Sequence, residues 1–326
     1  MTTSLLIYAR AVHFASGMVL LGVVAFRWLV FLPVFAGESE EVWQRFSPFF
    51  RKLSALFIGS GIFLLISGLA LFWAVAAGMS DMSLTESLNR ETFSTVLLLT
   101  QFGTVCQLRL GLAVLLGAMM WSLSREHWLT RSQSSWLEAG AGLVAMALVA
   151  SVAWTGHAAA AGGFAFWWRV LADTAHLLAT SIWPTGLLPF ALFLGCARRI
   201  ENPALLRPVL AVAQRFSHVS FITVWILMAS GLMNTWFMVG SLSALANTDY
   251  GHLLCLKLAL FIIILVIAAR NRYRLVPLLT SSANPAEKDH FFKLVRHLQN
   301  FVTIEFLLAL AIVLVVSVLG ITPPPH

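Results

Sequence analysis

Trp154 to Phe190, WTGHAAAAGGFAFWWRVLADTAHLLATSIWPTGLLPF, is the stretch that decides how this chain is read. It holds the end of one hydrophobic segment, a short turn rich in Gly, Ala and aromatics, and the start of a second segment carrying Asp173 and His176. Hydrophobic segments of this kind cross a bilayer as helices. An ionisable pair inside one is expensive in hydrocarbon, so it faces the protein interior and serves a purpose. The remainder of the chain frames this hairpin.

Of 326 residues, 59% are hydrophobic and only 11% charged, too apolar for a soluble domain whose surface must be wetted. Eight stretches, at roughly 5–32, 53–77, 93–122, 136–158, 170–195, 212–238, 252–270 and 298–320, reach the about 20 residues that a crossing needs. The connections are short. The expected fold is therefore all-α, a polytopic membrane helical bundle of about eight transmembrane helices forming a single domain over residues 1–326. The first apolar run continues past Phe31 with no small-residue cleavage site, and reads as a true span. Cys106, Cys196 and Cys255 fall in separate segments without CxxC spacing, so neither a disulfide framework nor a zinc site is expected.

A net charge of +7 would suit nucleic acid, but the basic residues sit in the connections and read as topology signals. Arg27, Arg45, Arg51 and Lys52 flank the first loop, Arg125 and Arg131 the third, Arg198, Arg199, Arg207 and Arg215 the fifth, and Arg270, Arg272, Arg274, Lys288, Lys293 and Arg296 the seventh. The positive-inside rule makes these loops cytoplasmic and puts both termini in the opposite compartment, the periplasm of a Gram-negative host. Nucleic acid is not an expected partner; the lipid bilayer is.

The loops on the far side differ in kind. Met79–Glu91 reads MSDMSLTESLNRE, and Asp249 and Tyr250 precede His252. Thioethers and imidazoles together suit Cu(I) better than hard cations, although each loop methionine taken alone reads first as a cover for apolar surface. His127, His290, His297 and His326 lie in loops, at helix ends or in the tail and are set aside. His13 and His176 both lie roughly 10–12 Å below the non-cytoplasmic end of their helices, while His157 and His252 are nearer the water on the same side. Any one of them could simply bond a neighbouring helix; four on one leaflet point to a metal or haem site. Asp173 shares a face with His176 at i, i+3, where it orients the imidazole for metal or else pairs with Arg169 one turn earlier.

A second polar set lies deeper: Arg109 in the third span, Lys257 in the seventh, His218 near the cytoplasmic end of the sixth and Glu305 in the eighth. Buried charges need partners, so Glu305 is expected to find His218, Arg215 or another cation. The set reads as an inner ion path or as a polar clamp between helices. In the sixth span Met228, Met233 and Met238 do not hold one face; Met233, beside Asn234 at the outer rim, is the best further ligand. Trp154, Trp167, Trp168, Trp183 and Trp236 read as interfacial anchors or packing. Pro184 is expected to kink the fifth span.

Several phrases in order, TGHAA (155–159), HLLATSIW (176–183), RFSHVS (215–220), SGLMNTW (230–236), YGHLLCLK (250–257) and ARNRYRLVP (269–277), followed by Glu305, resemble the copper-resistance D family of inner-membrane proteins, CopD and PcoD. The resemblance is densest from Thr155 onward. It departs in the fifth span, where WPTGL stands in place of a Gly-rich W-x-G-G-L. It implies copper handling at the bacterial inner membrane with a periplasmic partner of the CopC type.

Two functions follow as expectations. In the first, copper is accepted at the periplasmic face by His13, His157, His176 and His252, with Met79, Met82 or Met233 as auxiliary ligands, and moves across the membrane past Asp173, Arg109, Lys257, His218 and Glu305. Nothing resembles a P-loop, so transport would be passive or ion-coupled; the chain reads as a transporter more than as an enzyme. In the alternative, His13 and His176 are the axial pair of a haem b, in a protein able to reduce copper. A cofactor-free scaffold for a periplasmic copper protein is the third reading, and the poorest account of Asp173 and His176 one turn apart inside a span.

Overall fold

Uninterrupted runs of Leu, Ile, Val, Ala and Phe leave the backbone one way to satisfy its polar groups away from water, the helix. The computed structural model describes residues 2–125, 135–154, 164–200, 203–239 and 241–323, and holds eight helices long and apolar enough to cross a membrane. They are α1 (Thr3–Phe35), α2 (Ser47–Met79), α3 (Gln101–Ser122), α4 (Trp136–Trp154), α5 (Phe166–Arg199), α6 (Pro203–Val239), α7 (Asp249–Ser281) and α8 (Pro285–Leu319). The all-α polytopic bundle is as expected. Several helices run beyond the apolar stretch that announced them. α8 begins at Pro285, because the charged Lys288–Arg296 segment continues the helix past its apolar part.

Helices α1 and α5 form the middle of the bundle. α1 packs against α2, α4, α5 and α8; α5 packs against α6, α8, α1 and α4. Their approach is close at Gly22, where an added Cβ would meet the Thr185 side chain and the backbone of Ser181 and Thr185. The Thr185 hydroxyl seals this contact by reaching the carbonyls of Met18 (2.9 Å) and Ser181 (2.6 Å). The break expected at Pro184 is present: one helix ends at Ile182, a turn covers 183–186, and a second helix resumes at Leu187. Proline offers no N–H to the turn before it, and the Thr185 hydroxyl satisfies a carbonyl there instead.

At the end bearing the basic connections, rings from Phe31, Phe35, Trp43, Phe46, Phe50 and Phe193 interlock, with Trp43 donating its indole N–H to the Phe35 carbonyl at 3.0 Å. Elsewhere large apolar side chains such as Leu69, Leu99, Ile222, Leu232 and Val266 are exposed, as suits faces that meet acyl chains.

One basic residue departs from the topology reading. Arg27, expected to flank the first loop, is buried within α1 and bridges Glu138 of α4 at 2.7 Å. The chain forms a π-helical turn over Phe26–Phe31 there, and a second over Asn271–Leu275 in α7. Such wide turns often accompany functional groups; the second sets Asn271 against Glu305.

Candidate functional site

One polar cluster of the bundle's far half lies between α5, α6 and α7. α7 starts there because Thr248 is an extended N-cap whose hydroxyl accepts from the amide of Gly251 at 3.0 Å, so the helix runs inward from Asp249 and carries Lys257 two turns in. On α5, His176 directs Nδ1 at the Ser230 hydroxyl of α6, 3.2 Å away. Ser230 spends its own proton on the Ile226 carbonyl at 2.7 Å, so its oxygen accepts and the imidazole proton is assigned to Nδ1. Nε2 then carries the lone pair, and no donor among the described residues takes it. Gly231 makes room: a Cβ there would lie 3.3 Å from Cε1 of the ring.

Asp173, one turn before His176, faces Lys257 and Tyr250 electrostatically and lies 3.5 Å from the Asn234 amide of α6. No salt bridge joins it to Arg169, whose guanidinium stands over the Phe237 ring at 5.3 Å. The site therefore combines one carboxylate, one ammonium and one neutral imidazole with a free lone pair. A soft cation entering it meets a donor nitrogen beside a balancing carboxylate.

His13 has a different fate. Its Nδ1 lies 3.1 Å from the Leu64 carbonyl and 3.4 Å from the Ser67 hydroxyl, both on α2, which places the proton on Nδ1. Its Nε2 is taken by Arg109 of α3 at 2.8 Å. Arg109 also reaches Ser151 (3.1 Å) and the Leu148 carbonyl (3.4 Å) of α4. With both nitrogens engaged, His13 offers no lone pair while Arg109 stays. With Nε2 of His13 held by Arg109, the two histidines do not supply the pair of free ring nitrogens that the haem alternative requires.

Toward the basic end, Glu305 is 2% exposed on α8 and accepts from the Asn271 amide at 2.5 Å. The expected cations go elsewhere: His218 is exposed and holds its own helix at the Gln214 carbonyl, and Arg215 donates to the Leu29 carbonyl. The wide turn in α7 brings an amide, rather than a cation, to the carboxyl. Glu305 and Asn271 line a cavity of about 260 Å³ between α5, α6, α7 and α8, with Arg272 and Ser220 also on its wall.

The described members of the expected outer ligand set are engaged or exposed separately. Among the described residues no three His, Cys, Asp or Glu side chains are grouped to hold a metal. His252 is exposed, with Nε2 2.8 Å from the Ala246 carbonyl. Met79 and Met233 are exposed, and Met82 accepts the Thr92 hydroxyl at 3.7 Å. His157 lies outside the described residues. In the loop after α2, Ser83 donates through its amide and hydroxyl to Glu86, holding that carboxyl below its ordinary range. Ser67, Ser230, Tyr250, Ser151 and Asn271 were missed as partners. A signal for the first two was available, since each histidine is followed 54 residues later by the serine it bonds, and that serine by glycine.

Eight apolar helices around interior histidine, lysine and carboxylate groups define a polytopic membrane protein. This one belongs to the copper resistance D family: the profile described as "Copper resistance protein D-like, N-terminal domain" matches residues 1–167, just over half the chain, and "Copper resistance protein D" matches 210–319. The chain is 30% identical over 150 residues to Copper resistance protein D of Pseudomonas syringae pv. tomato, covering 46% of this chain and 48% of that protein. It is 33% identical over 122 residues to Copper transport protein CutJ of Bacillus subtilis, 37% of this chain and 22% of that protein. Inner membrane protein YebZ of Escherichia coli is 28% identical over 82% of this chain and 83% of its own length. The chain thus spans about half or less of the first two relatives' lengths. No solved structure gives a significant match.

Proposed function

We propose that this protein handles copper at the bacterial inner membrane, accepting it at the periplasmic face and passing it across. The reading rests on membership of a copper-resistance family and on one observation: His176 keeps an unclaimed Nε2 lone pair inside the bundle, with Asp173 one turn away to balance an arriving cation. Copper is the cargo. The basic connections set the cytoplasmic side, so both termini face the periplasm. The chain acts as one transmembrane unit over residues 1–326.

Each residue of the path has a role derived from its contacts. Ser230 fixes the imidazole by accepting from Nδ1, which aims Nε2 for coordination. Lys257 offsets Asp173 when the site is empty and yields that charge to the cargo when it is filled. Met233 and Asn234 sit at the outer rim of α6, and the loop bearing Met79 and Met82 offers soft groups where a periplasmic copper carrier of the CopC type would dock. The buried Glu305–Asn271 pair is the inner station.

Copper accumulation in cells expressing a His176→Ala variant at wild-type abundance tests the reading. Accumulation should fall to the level of cells lacking the protein. Accumulation equal to wild type removes His176 from the path and the proposal with it.

A further inference from the structure

The two histidine stations are built alike, part by part. A histidine on α1 or α5 bonds the serine 54 residues later on the next helix, and each ring also reaches the carbonyl three residues before that serine, Leu64 or Leu227. The serine opens the same phrase both times, S-G-L-x-x-x-W, at Ser67–Trp73 and Ser230–Trp236. A Cβ on the glycine would stand 3.2 Å from the first ring and 3.3 Å from the second.

The third helix of each set matches as well. Thr100 and Thr248 both sit in extended backbone, both donate to a carbonyl of the preceding short helix (2.6 and 2.7 Å), and both accept from the amide three residues on, Gly103 at 2.9 Å and Gly251 at 3.0 Å. Counting on from these glycines by the same step reaches Arg109 in one case and Lys257 in the other, each the cation that faces its histidine. The phrase QRFS also occurs in both sets, at Gln44–Ser47 leading into α2 and at Gln214–Ser217 within α6. Each helix of one set is four spans from its counterpart in the other, an even number, so both sets lie in the membrane the same way up, as parallel repeats do.

We propose that the chain is a tandem repeat of a four-helix unit, α1–α4 and α5–α8, and that His13 is a second, latent copper station held shut by Arg109. The inference rests on the copper reading of His176. What separates the stations is charge. The residue one turn before the histidine is Asp173 in the second unit and Arg10 in the first, so the first station has no carboxylate from its own helix; the Arg10 guanidinium lies against Gly320 just past α8, and Arg109 is the cation at the imidazole. Arg109 also reaches far enough to bind Nε2, whereas Lys257 leaves Nε2 of His176 open. A cation is excluded from the first station by repulsion and by a guanidinium on the ligating nitrogen; the second is balanced and accessible.

Transplanting the second unit's charges onto the first tests this. Purified full-length protein in detergent would be loaded anaerobically with Cu(I), and retained copper counted by elemental mass spectrometry. The wild type should retain about one copper, His176→Ala about none, Arg10→Asp with Arg109→Lys about two, and that pair combined with His176→Ala about one. Should the paired variant not fold, Arg109→Leu alone removes the closing donor and should add a weaker copper site that His13→Ala abolishes. A wild type whose copper depends on His176, together with folded variants that gain none, overturns the latent station and leaves the copper reading standing. Equal copper in wild type and His176→Ala overturns the copper reading itself.

Discussion

Arg109 Nη2 stands 2.8 Å from Nε2 of His13, with its other terminal nitrogen on Ser151. This ties α3 to α1 and α4 through groups that cannot find water where they sit. Because the imidazole proton lies on Nδ1, the contact is a guanidinium donating to a neutral ring, and nothing else among the described residues replaces it at Nε2.

Arg109→Met keeps the aliphatic stem and removes every donor. His13 Nε2 and the Ser151 region then lose a charged partner, a loss on the order of 1–3 kcal/mol. The apparent melting temperature of the purified protein should fall, and Ser151→Ala, which leaves the His13 contact in place, should lower it less. Equal melting of Arg109→Met and wild type would show that this contact does not hold the helices together.

Arg27 and Glu138 join α1 to α4 by a buried 2.7 Å bridge. Removing one member of a buried pair leaves the other charge uncompensated and costs about 3–5 kcal/mol, while replacing both with apolar groups of similar size is often neutral or better. Glu138→Gln should therefore reduce the yield of folded protein sharply, and Arg27→Met combined with Glu138→Leu should recover it. Size-exclusion profiles and thermal melts of the three variants check the ordering; a double variant as poor as the single one shows that the bridge is needed for more than charge balance.

Helix number and position were legible because hydrocarbon leaves a long apolar segment few alternatives, and Pro184 announced its own break. Neighbour choice was less so. His13 and His176 do hold corresponding positions in their helices, yet each ring turns to its own hairpin, which depth alone does not reveal. Glu305 was expected beside a cation; a wide turn in α7 substitutes the Asn271 amide, and such turns leave little trace in composition. Arg27 read as a loop residue because its acid partner is more than a hundred positions away. The clue that reached furthest was internal: the Ser-Gly-Leu phrase and the capped Thr-x-x-Gly start occur twice at matching distances from a histidine and a cation.

Gly22 offers the most direct test of how the two halves meet. α1 and α5 approach so closely there that a Cβ would collide with the Thr185 side chain and with backbone, which cannot swing aside. The same spot holds the Thr185 hydroxyl against the Met18 carbonyl. Small residues permit such contacts between membrane helices, where packing rather than water drives association. Gly22→Ala should lower thermal stability by about 1–3 kcal/mol, the usual cost of overpacking, and Gly22→Leu should prevent recovery of monodisperse protein. Thr185→Ala, which removes the hydroxyl oxygen that the added methyl meets first, should restore part of the loss in the Gly22→Ala background. A Gly22→Leu protein that elutes and melts like wild type would mean that α1 and α5 are not in contact at this level, and the central packing described above would have to be redrawn.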